Sequence, residues 1–151
     1  MTNTTLCYIE QDKKYLMLHR NKKENDLNEG KWIGVGGKFE KNETPEECVT
    51  REVLEETGLV LENYSYRGLV TFINTKYPTE YIFVYTASQF SGTIEECNEG
   101  TLAWIKKDEI LDLNHWDGDK YFLEKLLDNE KKTFSIKLSY DGDNLIDVKV
   151  S

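Results

Sequence analysis

Between Gly37 and Leu59 the chain reads GKFEKNETPEECVTREVLEETGL, and no other stretch restricts its fold so tightly. Thr44 is a strong helix N-cap, Pro45 falls on the first helical position, and Glu47 completes a capping box. Glu46 and Glu47 also favour the positive end of the helix dipole. Gly58 supplies the left-handed residue on which such a helix stops. Inside this frame, after a turn expected at Gly36-Gly37, stand Glu43, Arg51, Glu52, Glu55 and Glu56. At about 100° per residue, Arg51, Glu52, Glu55 and Glu56 share an arc of roughly 140°, with Val49, Val53 and Leu54 outside it or at its edge. Like charges spaced i,i+3 and i,i+4 cost a few tenths of a kcal/mol each even when exposed. One reading is a solvated acidic face. The other is a carboxylate cluster neutralised by divalent cations, which points to phosphate chemistry.

Two neighbouring features favour cations. Glu43 can reach back to Arg51 and fix the arginine. Gly36 and Gly37 allow backbone groups to come close to a metal or a phosphate. Hard ions such as Mg²⁺ take oxygen ligands of this kind and keep waters of their own.

The formal net charge of -9 leaves no basic stripe for a nucleic acid polymer, although a small polyanion bridged by metal ions is compatible. Cys7, Cys48 and Cys97 are odd in number and match no zinc spacing, so they read as buried free thiols in a reducing compartment. The start, MTNTTLCYIEQDKK, lacks the pattern of a signal peptide. No run approaches the roughly 20 apolar residues of a membrane span. A cytoplasmic protein without membrane partners is expected. With two prolines and no linker tract, residues 1–151 read as one domain.

Period-two patterns predict a hairpin over Thr4 to Glu10 and Lys14 to Arg20, and an extended, glycine-broken segment over Trp32 to Phe39. Further strands are expected at Leu61 to Asn74, Glu80 to Ala87 and Thr101 to Lys106, and at Thr133 to Tyr140 and Leu145 to Val150 around an Asp141-Gly142 hairpin. Lys107 to Leu111 reads as a short helical turn and Asp117 to Asp128 as a second main helix. The fold class is α/β, a mixed β-sheet packed between helices in an α/β/α sandwich.

Gly37, Glu43, Arg51, Glu52, Val53, Glu55, Glu56, Gly58 and Leu59 fill all nine defined positions of the Nudix box, G-x5-E-x7-R-E-U-x-E-E-x-G-U with U a bulky apolar residue. The chain thus resembles the Nudix hydrolases, and the order of strands and helices is similar along its length. The resemblance implies the Nudix fold, a nucleoside diphosphate-linked substrate, and cleavage of a phosphoanhydride by water with Mg²⁺ or Mn²⁺. It implies Glu52, Glu55, Glu56 and the Gly36 carbonyl as metal ligands, with Glu43 and Arg51 as a supporting ion pair. LHRNKK, GKWIGVGGK and the run from Trp104 through HWDGDKYF look like the MutT-type branch that hydrolyses oxidised purine nucleoside triphosphates such as 8-oxo-dGTP. On that likeness Ile33, Gly36, Gly37 and Lys38 would border the substrate, and Trp116 and Asp119 would touch the base. Arg20 would contact phosphate, and Glu99 would join the metal site from its loop. Which of Glu55, Glu56 and Glu99 is the general base stays open.

Trp116 also reads as a core aromatic, and Asp117 or Asp119 as a helix cap. His19 and His115 lack an evident partner and read as structural. Two positions depart from the oxidised-purine members, which carry an asparagine in place of Ile33 and an aspartate in place of Gly118. A dinucleoside polyphosphate or nucleotide-sugar pyrophosphatase, hinted at by Tyr77, is the alternative enzyme. A non-catalytic nucleotide sensor is the alternative outside enzymes, and a monomer or homodimer fits either.

Overall fold

The computed structural model describes residues 1–151. Strand β1 (Thr2–Gln11) turns through Asp12 and Lys13, both at positive φ (53° and 62°), into β2 (Lys14–His19). That pair of left-handed residues matches the twist of a two-residue hairpin. The strands stay paired only from Ile9–Leu16 to Gln11–Lys14, then part. Into the gap runs a split segment. β3 (Trp32–Ile33) pairs with β2, and β4 (Val35–Lys38) crosses to pair antiparallel with β1 over Thr4 to Cys7.

The expected Gly36-Gly37 turn is therefore a strand. These glycines answer to close packing, because a Cβ on Gly36 would lie 1.9 Å from the Thr5 carbonyl oxygen of β1.

The remaining strands are β5 (Val60–Asn74), β6 (Tyr77–Ser91), β7 (Thr101–Lys106), β8 (Phe134–Asp141) and β9 (Asn144–Val150). The sheet runs β3-β2-β1-β6-β5-β8-β9, with β7 along β2 and β4 along β1. It is mixed, since β1 is parallel to β6 and β5 to β8.

Alternation along the strands sends neighbours to opposite faces. Cys7, Ile9, Val35, Tyr85 and Ala87 pack with Val49, Val53 and Leu59 of α1 (Pro45–Thr57) and its end. Tyr8, Val70, Phe72, Val84, Ile136 and Leu138 pack on the other face with Trp116 and with Phe122, Leu123 and Leu126 of α2 (Asp119–Leu127). Each of the valine, leucine, isoleucine and phenylalanine side chains contributes about 1.5–3 kcal/mol on burial.

Helix α1 begins as its residues require. Thr44 Oγ1 accepts from Glu47 N at 3.0 Å, Glu47 Oε1 accepts from Thr44 N at 2.9 Å, and Gly58 closes the helix at φ 80°. Helix α2 starts at Asp119 rather than Asp117, because the Gly118 amide donates to Tyr140 Oη at 2.7 Å and ties the approach to β8. A 3-10 helix covers Lys107–Asp112. The three cysteines are buried and free, and no helix is long and apolar enough to cross a membrane.

Candidate active site

Arg51 organises the acidic face of α1. Its Nε and Nη2 donate to the two oxygens of Glu43 at 2.5 and 2.9 Å, a bidentate pair. Nη1 reaches Glu52 at 2.8 Å and Glu55 at 3.1 Å, and Nη2 also reaches the Lys38 carbonyl at 3.0 Å. One guanidinium thus joins the helix to the loop before it and to the end of β4. Hydrogen bonds from Arg51 and then from the Glu40 amide hold the Glu43 carboxyl down at about 2. Glu52 moves the other way, because desolvation outweighs the help from Arg51. Glu55 keeps 57% side-chain exposure, so it faces water as well as Arg51.

Glu56 is only 8% exposed, an unusual setting for a glutamate. Its Oε2 accepts from the Gly36 amide at 3.1 Å. A strand residue directs its N–H and C=O to the same edge, so the Gly36 carbonyl also leaves β4 on the side of the glutamates. Burial first, and then the hydrogen bond and charge of Glu99, push the Glu56 carboxyl up to about 10.

Glu99 is held in turn by Arg20, whose Nη1 donates to Glu99 Oε2 at 2.9 Å while Nε donates to Asp26 Oδ2 at 2.6 Å. Arg20 is 8% exposed and Asp26 9% at its side chain. Weakening this buried link in Asp26→Asn should cost about 1–2 kcal/mol of stability, read as a lower urea midpoint with unchanged m-value.

A cavity of about 660 Å³ opens beside these carboxylates. Glu52, Glu56 and Glu99 border one end together with Gly36, Gly37 and Lys38. Leu27, Ile33, Phe72, Trp116 and Asp119 border the other, and Arg20 lies on the wall. Trp116 is 6% exposed and set edge-on against Phe72 and Tyr140 at 5.3 and 5.0 Å. Its Nε1 donates to Asn28 Oδ1 at 2.8 Å, and Lys31 Nζ stands 4.6 Å from its ring centre. So Trp116 is both a core aromatic and a cavity wall. Asp119 is surrounded by protein and keeps solvent contact through the cavity. Desolvation raises its carboxyl to about 7, against the pull of His115 and Lys31.

The NUDIX domain pattern matches residues 2–126, most of the chain. The chain belongs to the Nudix family. Its sequence is 30% identical over 132 residues to an uncharacterized Nudix hydrolase of Bacillus subtilis, covering 84% of this chain and 80% of the relative. It is equally 30% identical over 128 residues to the oxidized purine nucleoside triphosphate hydrolase of Mus musculus, with the same coverage of each. The crystal structure of a MutT protein from Bacillus halodurans superposes with a TM-score of 0.89 at 27% identity, covering 100% of this chain and 98% of that one. Beyond the matched segment, β8 and β9 extend the same Nudix sheet.

Other residues of this Nudix hydrolase settle into support. His19 stacks on Trp32 at 4.6 Å. His115 contacts the Leu111 and Trp116 carbonyls. Lys22 bonds Glu96 and the Cys97 carbonyl, pinning the loop that carries Glu99. The sequence carries no signal for Asp26, Asn28, Phe72, Thr4 or Glu80 at the cavity, since they come from four separate segments without periodic spacing.

Proposed function

We propose that this Nudix hydrolase cleaves a nucleoside triphosphate to the monophosphate and pyrophosphate with Mg²⁺ or Mn²⁺, and that an oxidised purine nucleotide such as 8-oxo-dGTP is its substrate. The observation that carries this reading is the single cavity that joins a carboxylate end to an aromatic end. A triphosphate and its base would each find matching chemistry there. The likeness to oxidized purine nucleoside triphosphate hydrolases of Mus musculus and Danio rerio supports the substrate class.

The donor set suits a divalent cation, although the side chains as they stand do not form a finished cage of acidic ligands. Gly37 leaves open a space in which a Cβ would lie 2.5 Å from Glu52 Oε2, and the buried Glu56 carboxyl stands against Glu99 with no cation bonded to it directly. Glu52, Glu55, Glu56, Glu99 and the Gly36 carbonyl would hold the ions. Bound there, they would offset charge on the phosphoryl oxygens and lower the pKa of a bound water.

The protein does the rest. Arg51 and Glu43 keep Glu52 and Glu55 oriented, and Arg20 keeps Glu99 beside Glu56. One of Glu55, Glu56 and Glu99 takes the proton of the attacking water as its oxygen bonds to phosphorus and the anhydride P–O bond breaks. Phe72, Ile33 and Trp116 enclose the base, and Asp119, near its midpoint at neutral pH, can donate or accept at the base edge.

A dinucleoside polyphosphate pyrophosphatase is the second reading, because Tyr77 is 43% exposed at the cavity and offers a face to a second base. Product release from 8-oxo-dGTP, dGTP, Ap4A and ADP-ribose, with and without Mg²⁺, separates these readings. The expected result is Mg²⁺-dependent pyrophosphate release with kcat/KM for 8-oxo-dGTP about tenfold above dGTP. Equal values would remove the oxidised-purine assignment while leaving triphosphate hydrolysis, and a preference for Ap4A would favour the second reading.

A further inference from the structure

Strand β6 presents a carboxylate where the cavity wall is otherwise apolar. Glu80 pairs across the sheet with Phe72 of β5, so both side chains rise on the face that carries α2. Around them Val70, Ile82 and Leu138 line the same wall. Thr4, two residues before Leu6 on β1, donates from Oγ1 to Glu80 Oε1 at 2.8 Å and is itself only 7% exposed. No protein donor takes the second oxygen of Glu80, which keeps its solvent contact through the cavity. A carboxylate fixed by one oxygen beside an aromatic pair, with its other oxygen open, is arranged to accept from a ligand.

Phe72 packs edge-on against Trp116, and Trp116 precedes Asp119 by three residues. Two carboxyl groups therefore serve the aromatic end. Asp119 sits near its protonation midpoint and can donate. Desolvation also holds the Glu80 carboxyl above its ordinary range, and the Thr4 hydroxyl and the Lys38 charge oppose only part of that rise.

An ionised carboxylate is an acceptor only. Among purines, guanine-type bases offer it adjacent donors, the ring N1–H and the 2-amino group, while hypoxanthine keeps the N1–H and lacks the amine. Adenine places its amine beside an acceptor nitrogen, which an anionic oxygen disfavours. We infer that Glu80, positioned by Thr4, is a specificity residue that accepts from the 2-amino edge of a guanine-type base. The inference rests on the nucleoside triphosphate reading above and names the base feature recognised.

The test compares dGTP with dITP, which differ only in the 2-amino group, in the wild-type protein and in Glu80→Met and Thr4→Val, with Mg²⁺ present. Wild type should favour dGTP in kcat/KM by about tenfold or more. Glu80→Met should bring the ratio within about twofold, and Thr4→Val should lower it as well. A wild-type protein indifferent to the amine, or a folded Glu80→Met that keeps the wild-type ratio, overturns the assignment. Should Glu80→Met fail to fold, an unchanged ratio in Thr4→Val overturns it instead. Hydrolysis of both nucleotides at equal efficiency counts against Glu80 alone, whereas no hydrolysis of any nucleoside triphosphate removes the underlying function too.

Discussion

Glu56→Gln is expected to lower kcat by about a hundredfold or more while raising the melting temperature of the cation-free protein. The two effects share one cause. Glu56 is buried against Gly36 and Glu99, and its carboxyl is held well above the ordinary glutamate range. In the unfolded chain the group loses its proton near pH 4.5, while in the folded chain it keeps it to higher pH. Between those values the folded state binds the extra proton, so stability falls as pH rises. The effect grows from about pH 4.5 and is complete only above the folded value of about 10. A glutamine avoids this loss and should raise the Tm on the order of a few degrees at pH 7.5 in EDTA. Added Mg²⁺ should stabilise wild type by binding the folded state alone, and should do so less in the variant. Thermal melts with and without Mg²⁺, beside pyrophosphate release, check both halves. Turnover close to wild type would remove Glu56 from the chemistry.

Gly36→Ala should destabilise the protein by about 3 kcal/mol, and Gly37→Ala should spare the fold yet damage activity. Each change adds one methyl group, and what differs is the atom it meets. At Gly36 that atom is the Thr5 carbonyl oxygen, 1.9 Å away and fixed in β1 by the sheet. Relief requires β4 to leave β1, and the Gly36 amide that holds Glu56 goes with it. At Gly37 the methyl meets Glu52 Oε2 at 2.5 Å, the end of a side chain that can rotate aside. Moving it takes Glu52 from Arg51 and from the cavity. Urea unfolding should show the large loss only at Gly36, while kcat should fall in both variants. A Gly37→Ala enzyme with full activity would show that the close seat of Glu52 is dispensable.

How much of this was legible in the sequence follows from how local each feature is. Capping box, acidic arc and terminal glycine all lie on one helix, so their spacing alone places α1 and its carboxylates. The Asp12-Lys13 hairpin and most strands are equally local. Gly36-Gly37 suggested a turn because glycine pairs usually mark one, whereas here the glycines accommodate the backbone of a strand some thirty residues away in sequence. Asp117 looked like a cap, but α2 is set by the Gly118–Tyr140 bond, a contact made only when β8 is in place. The Asp26–Arg20–Glu99 chain and the Thr4–Glu80 pair join segments 79 and 76 residues apart, and no periodicity announces them.

The parting of β1 and β2 has a consequence for how such a molecule can change over time. The inserted β3–β4 segment lets carboxylates from a helix on one face meet a cavity on the other through the gap in the sheet. On the proposed function, hydrolytic machinery and recognition wall therefore hang on separate sides of one scaffold. On that same reading, drift in Ile33 or Glu80 can redraw the accepted base while Arg51 and its glutamates keep their places. The reaction is inherited through one layer, and substrate choice is left free to diversify in the other.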